Sequence, residues 1–117
     1  VTMVETAGGL LAPLAWDWTV VELAEALGAS VLVAAANKLG TVNHTLLTLS
    51  ALELGGILAA GVVLSATENP DPSFDSNRDA IIRLSGLDRV LDAPWTSDPE
   101  EAARALEPAI PWVLPPR

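Results

Sequence analysis

Two uninterrupted apolar runs, Ser30 to Ala36 and Ile57 to Leu64, restrict this chain more than any other feature. Each has about the length of one strand, and neither alternates polar with apolar side chains. A strand that is apolar throughout must be covered on both faces, as parallel strands are in layered α/β folds. Neither run approaches the roughly 20 residues that a membrane span requires. Between them Asn37-Lys38-Leu39-Gly40 reads as a loop. Thr41 is placed to cap a helix running to Leu54, and Gly55-Gly56 ends it.

The same alternation continues on both sides. Val1 to Val4 reads as a short buried strand, closed by Glu5 and an Ala7-Gly8-Gly9 loop. Thr19 and Glu22 have the spacing of a capping box, which opens a helix expected to stop at Gly28. After the second apolar run comes a loop rich in Pro, Asp, Ser and Asn. A helix near Asn77 to Leu84 follows, capped by Asp75 or Ser76, and then a short strand at Arg89 to Leu91. Asp98 and Pro99 start a last helix, with proline at the first position where it is tolerated. The tail from Pro108 is expected to be extended. Strands alternating with helices predict an α/β fold with a parallel sheet and flanking helices.

Half of the 117 residues are apolar, and no cysteine is present, which excludes disulfides and thiolate metal sites. The N-terminus lacks the basic start and apolar core of a signal peptide, so the expected location is cytoplasmic, with no membrane partner. Fifteen acidic residues against six basic ones give a net charge of −9. That balance argues against a nucleic-acid surface, which needs clustered Lys and Arg. It does not exclude phosphate ligands, because loop amides, helix N-termini and metal ions bind phosphate without net positive charge. The apolar pattern is already running at Val1, which is not Met, so the start of a longer parent is expected to be missing.

Two stretches carry chemistry. In Val4-Glu5-Thr6-Ala7-Gly8-Gly9 an acid follows a strand-like run and precedes a glycine loop, where open α/β sheets put ligands. A carboxylate there can hold Mg²⁺, and glycines let backbone N–H groups approach a phosphate or a reacting carbamate. The bland alternative is a strand-ending acid and a flexible turn. In Lys38-Leu39-Gly40-Thr41-Val42-Asn43-His44-Thr45-Leu46-Leu47-Thr48 a glycine precedes a helix whose first turn holds Thr41 and Asn43. Free amides and the helix dipole make an anion site there, or Thr41 simply caps the helix.

Together the two stretches resemble the dethiobiotin synthetase family, whose signatures are Val-Glu-Gly-Ala-Gly-Gly and, further on, Leu-Gly-x-x-Asn-His-x-x-Leu-Thr. Order and spacing agree, and Thr6 stands where glycine is usual. Gly61-Val62-Val63-Leu64-Ser65 is similar to the next family strand, with Ser65 in place of an adenine-reading asparagine. Asp92-Ala93-Pro94-Trp95 resembles the loop that passes the base and ribose.

The resemblance implies a P-loop NTPase-like fold and a homodimeric enzyme. In that family 7,8-diaminononanoate reacts with CO₂, ATP phosphorylates the carbamate, and the neighbouring amine closes the ureido ring on the path to biotin. By the same resemblance Glu5 would ligate Mg²⁺, and Gly8 and Gly9 would line the reacting end of the substrate. Gly40, Thr41 and Asn43 would receive its distal carboxylate from across the dimer interface. Ser65, Pro94 and Trp95 would flank the base. Residues 1–117 would be the C-terminal portion of one such domain, working as a homodimer or with the missing N-terminal half.

The family's phosphate loop, Gly-x-x-x-x-Gly-Lys-Thr/Ser, occurs nowhere in this chain. Its lysine and amides cradle the ATP phosphates, so the chain by itself is expected to be inactive. Two other readings follow: a related domain for another amide-forming reaction, and a non-catalytic interaction domain. His44 reads as a packed or capping residue. Trp16, Trp18, Trp95 and Trp112 read as core or interface packing. The acids at Asp98, Glu100 and Glu101 complement a helix dipole.

Overall fold

The computed structural model describes residues 1–114. A small antiparallel hairpin, β1 (Pro13–Ala15) and β2 (Trp18–Thr19), leads into helix α1 (Val20–Leu27). Then come β3 (Val31–Ala36), α2 (Thr41–Leu54), β4 (Ala59–Ser65), α3 (Phe74–Ser85) and β5 (Val90–Ala93). Helix α4 (Pro99–Leu106), a 3-10 turn (Glu107–Ala109) and the short helix α5 (Ile110–Val113) complete the fold. Strands β3, β4 and β5 form one parallel sheet in that order, with β4 central. The expected class, a parallel sheet with flanking helices, is the class observed.

Local chemistry sets the helix ends. The Thr19 hydroxyl accepts the Val21 N–H at 3.2 Å, while the Glu22 carboxylate accepts the Thr19 N–H at 2.6 Å. This is the expected capping box. Gly28 closes α1 with φ 56°, a conformation that favours glycine. The Asp98 carboxylate accepts the Glu100 N–H at 2.9 Å, with Pro99 at the first position of α4.

The core lies on one face of the sheet. Val33, Val62, Leu64 and Val90 meet Leu52 from α2 and Ile81 from α3. Val33 is in register with Val62, and Val62 with Val90, so these three side chains share one face. On β4 the other face is covered too. A Cβ at Gly61 would lie only 2.3 Å from the Trp112 ring, which therefore packs directly on the strand backbone.

Four expectations need correction. Residues 1–4 form no strand: they pair with neither outer edge of the sheet, and Val1, Met3 and Val4 are exposed. Strand β3 is covered on one face only: Val33 is buried, while Leu32, Ala34 and Ala36 are exposed. Helix α3 starts at Phe74 with Ser73 at its cap position, three residues before Asn77. The tail is helical at Pro108 and Pro111, since proline in a first helical turn loses no hydrogen bond. The last part of that tail, 115–117, lies outside the described residues.

Candidate functional site

The carboxyl ends of β3, β4 and β5 lie side by side, at the edge where open α/β sheets bind ligands. Six of the nine residues singled out above gather there. Gly40, Thr41 and Asn43 follow β3, Ser65 ends β4, and Pro94 and Trp95 follow β5. Backbone hydrogen bonds tie the three ends together. Asn37 N–H donates to the Ser65 carbonyl at 2.7 Å, and Ala66 N–H donates to the Ala93 carbonyl at 2.8 Å.

Gly40 occupies the N-cap position of α2, where Thr41 was expected. Its φ of 93° favours glycine, because a Cβ would crowd the following carbonyl there. Thr41 is the first helical residue and is buried, and Asn43 is exposed. No side chain caps this turn, so the helix start keeps partial positive charge, although the Thr41 N–H itself donates to the Lys38 carbonyl at 3.0 Å. His44 is exposed and uses its backbone N–H to reach the Gly40 carbonyl at 3.1 Å. The first turn of α2 can therefore receive an anion through backbone amides, with the Asn43 amide beside it.

Ser65, Pro94 and Trp95 are exposed on the neighbouring strand ends, with Trp95 at 61%. Trp16 and Trp18 are also exposed, so three of the four tryptophans do not pack in the core of this chain. Trp112 does, against Gly61.

Glu5, Gly8 and Gly9 stand apart. All three are exposed, and no hydrogen bond or ion pair among the described residues joins them to the other six. Gly8 has φ 92° and approaches Ala12, while Leu10 and Leu11 line a small cavity with Leu47, Thr48 and Ala51 of α2. The described residues contain no group of three or more His, Asp or Glu side chains placed to hold a metal ion. Glu5 alone offers one hard oxygen ligand. That suits Mg²⁺, which combines one or two carboxylates with water and substrate phosphates.

Sequence reading missed a polar cluster beneath this edge. Asn37 is fully buried, and its side-chain amide donates to Asp92 at 3.3 Å and to the Phe74 carbonyl at 3.4 Å. Asn77, also buried, donates to the Asn37 side-chain oxygen at 2.8 Å. Burial raises the Asp92 carboxyl above the ordinary carboxylate range, opposed by the nearby Arg78 guanidinium at 3.7 Å. The available signal was Asn37 itself, a polar residue directly abutting an apolar strand.

A parallel α/β sheet carrying polar loops at its carboxyl edge defines a class of ligand-binding α/β proteins. Within that class the chain belongs to the AAA domain family, whose pattern matches residues 1–103. Curated relatives include the ATP-dependent dethiobiotin synthetase of Anaeromyxobacter sp. strain K, 48% identical over 105 residues, 89% of this chain and 47% of that protein. The protein of the same name from Mycobacterium avium strain 104 is 49% identical over 94 residues, 79% of this chain and 42% of its own length. That of Rhodococcus erythropolis strain PR4 is 42% identical over 88 residues, covering 74% and 39%. The chain spans about half the length of the curated relatives it matches.

Proposed function

We propose that this chain is the C-terminal portion of an ATP-dependent dethiobiotin synthetase acting in biotin biosynthesis. The observation that carries the reading is the uncapped first turn of α2, with Gly40 in the left-handed region and Asn43 exposed beside it. It stands in a chain nearly half identical to proteins of that name.

In this reading one amine of 7,8-diaminononanoate takes up CO₂ to give a carbamate, and ATP phosphorylates the carbamate oxygen. The second amine then attacks the carbonyl carbon, phosphate leaves, and the ureido ring closes. The α2 turn holds the distal carboxylate of the diamine through the amides near Gly40 and Thr41 and the side chain of Asn43. An exposed helix start favours an anion by about 0.3–1 kcal/mol, and a charge-assisted hydrogen bond adds roughly 1.5–3 kcal/mol. Gly8 and Gly9 line the reacting end. Ser65, Pro94 and Trp95 flank the nucleotide base. Glu5 is a ligand to Mg²⁺, which when bound neutralises charge on the phosphates.

The bare face and free edge of β3 support association with further polypeptide, either the phosphate-loop half or a second copy. Among the described residues no helix is long and apolar enough to cross a membrane, and a cytoplasmic location is part of the proposal.

The test is Asn43→Ala in the full native enzyme. The diamine KM is expected to rise roughly 10- to 100-fold, while kcat and the ATP KM move much less. Glu5→Gln is expected to cut kcat with the fold intact. Mixing the two variants should restore one working site per heterodimer. An Asn43→Ala enzyme with an unchanged diamine KM overturns the carboxylate assignment.

A further inference from the structure

The loop between β3 and α2 is closed by two backbone bonds of its own, Lys38 N–H to the Ala36 carbonyl and Thr41 N–H to the Lys38 carbonyl, each 3.0 Å. Lys38, Leu39 and Gly40 are all exposed, and nothing apolar packs the turn down. A connected series of side-chain hydrogen bonds ties that turn to the segments around it. The Leu39 N–H donates to one oxygen of Asp71 at 2.7 Å. The other Asp71 oxygen accepts both the Ser73 N–H at 2.8 Å and the Ser73 hydroxyl at 2.6 Å. That hydroxyl in turn accepts from the Asn77 amide at 3.0 Å. Asn77 also donates to Asn37 at 2.8 Å and reaches the Lys38 carbonyl at 3.4 Å. Asn37 completes the series by donating to Asp92 on β5.

Burying two asparagine side chains at 0% and 4% exposure costs free energy unless every polar atom finds a partner. Here both side-chain amides and the Asn37 oxygen find partners, and they lie on both sides of the exposed loop. Apolar side chains of the same size would fill the space with less risk, but they would not set the direction of a backbone N–H or carbonyl. A fully satisfied network fixes one arrangement, and a partly satisfied one is worse than none. The hydrogen bonds of Asp71, chiefly to Ser73 and then to Leu39, hold its carboxyl below the ordinary carboxylate range, so it stays an acceptor at neutral pH.

We infer that Asp71, Ser73, Asn77 and Asn37 form a positioning clamp that sets the Lys38–Gly40 turn, and with it the first amides of α2, for the substrate carboxylate. None of the four touches substrate; they act through the turn. The inference rests on the proposed role of Gly40, Thr41 and Asn43.

The experiment measures kcat and both KM values for Asp71→Ala, Asn77→Ala, the double variant and Asn43→Ala in the full native enzyme. Each clamp variant is expected to raise the diamine KM about tenfold, with kcat and the ATP KM within about twofold. Because both act through one turn, the double variant should raise it far less than the product of the single effects. A clamp that merely stabilises the fold would lower the thermal midpoint and leave the diamine KM unchanged, and that result overturns the inference. Asp71 is only half-buried, so its variant decides the matter even where Asn77→Ala fails to fold. An effect of Asn43→Ala without any of Asp71→Ala removes the clamp alone. No effect of Asn43→Ala removes the carboxylate site and the clamp together.

Discussion

Strands β3 and β4 are written in nearly the same apolar alphabet, Val-Leu-Val-Ala-Ala-Ala against Ala-Ala-Gly-Val-Val-Leu-Ser, yet they occupy different environments. Every residue of β4 from Ala60 to Leu64 is buried. On β3 exposed and covered positions alternate. The cause is position in the sheet. Strand β4 has a hydrogen-bonded neighbour on each side, helices α2 and α3 on one face and Trp112 on the other. Strand β3 has one neighbour and one covered face. Apolar composition thus states how much covering a strand calls for, and says nothing about whether the cover belongs to the same chain. Residues 1–4 carry this further: they are apolar enough for a strand, yet they pair with neither outer edge of the sheet and form none.

The largest effect that sharpens the contrast is cavity formation at its two poles. Leu64→Ala on β4 is expected to cost about 2–5 kcal/mol, and Leu32→Ala on β3 about 1 kcal/mol or less, by urea unfolding of this chain. If the face of β3 is covered in the longer enzyme, Leu32→Ala should cost several-fold more there. Equal losses at both positions in this chain would break the comparison. Next comes Gly61→Ala, which puts a methyl group into the Trp112 ring and 3.0 Å from the Arg89 carbonyl. Its expected cost is about 1–3 kcal/mol, with a change in Trp112 fluorescence. A neutral result would mean that α5 does not cover β4.

The smallest effect is the response to acid. Hydrogen bonds from Thr19 hold Glu22 below the ordinary carboxylate range, and those from Ser73 and Leu39 do the same for Asp71. A depressed folded pKa contributes stability above the unfolded value that is lost as pH falls through the folded one. Asp92 works in the opposite sense. Its carboxyl is raised, so its contribution is present below the ordinary range and lost as pH rises through the folded value. Stability is therefore expected to fall below about pH 4, and Asp71→Asn or Glu22→Gln should flatten that fall, while Asp92→Asn should steepen it. Acid curves identical to that of the unchanged chain would show that these hydrogen bonds do not persist in solution.

The sequence by itself determined whatever depends on neighbours along the chain. Thr19 with Glu22, Gly28, Asp98 with Pro99, and the two long apolar runs each carry their structural meaning within a few residues, because capping and strand patterning are short-range. The resemblance at Leu39-Gly40-Thr41 and Asn43 likewise put the α2 turn in view. Only the tertiary structure decided which strand is central, which face of β3 is bare, and that proline near the tail sits inside helical turns. It alone joined Asn37, Asp71, Asn77 and Asp92, residues from two loops, a helix and a strand whose shared role rests on hydrogen bonds across 32 to 55 positions. Periodicity reports how a residue relates to its own helix or strand, whereas a buried polar contact depends on which distant segment the fold brings against it.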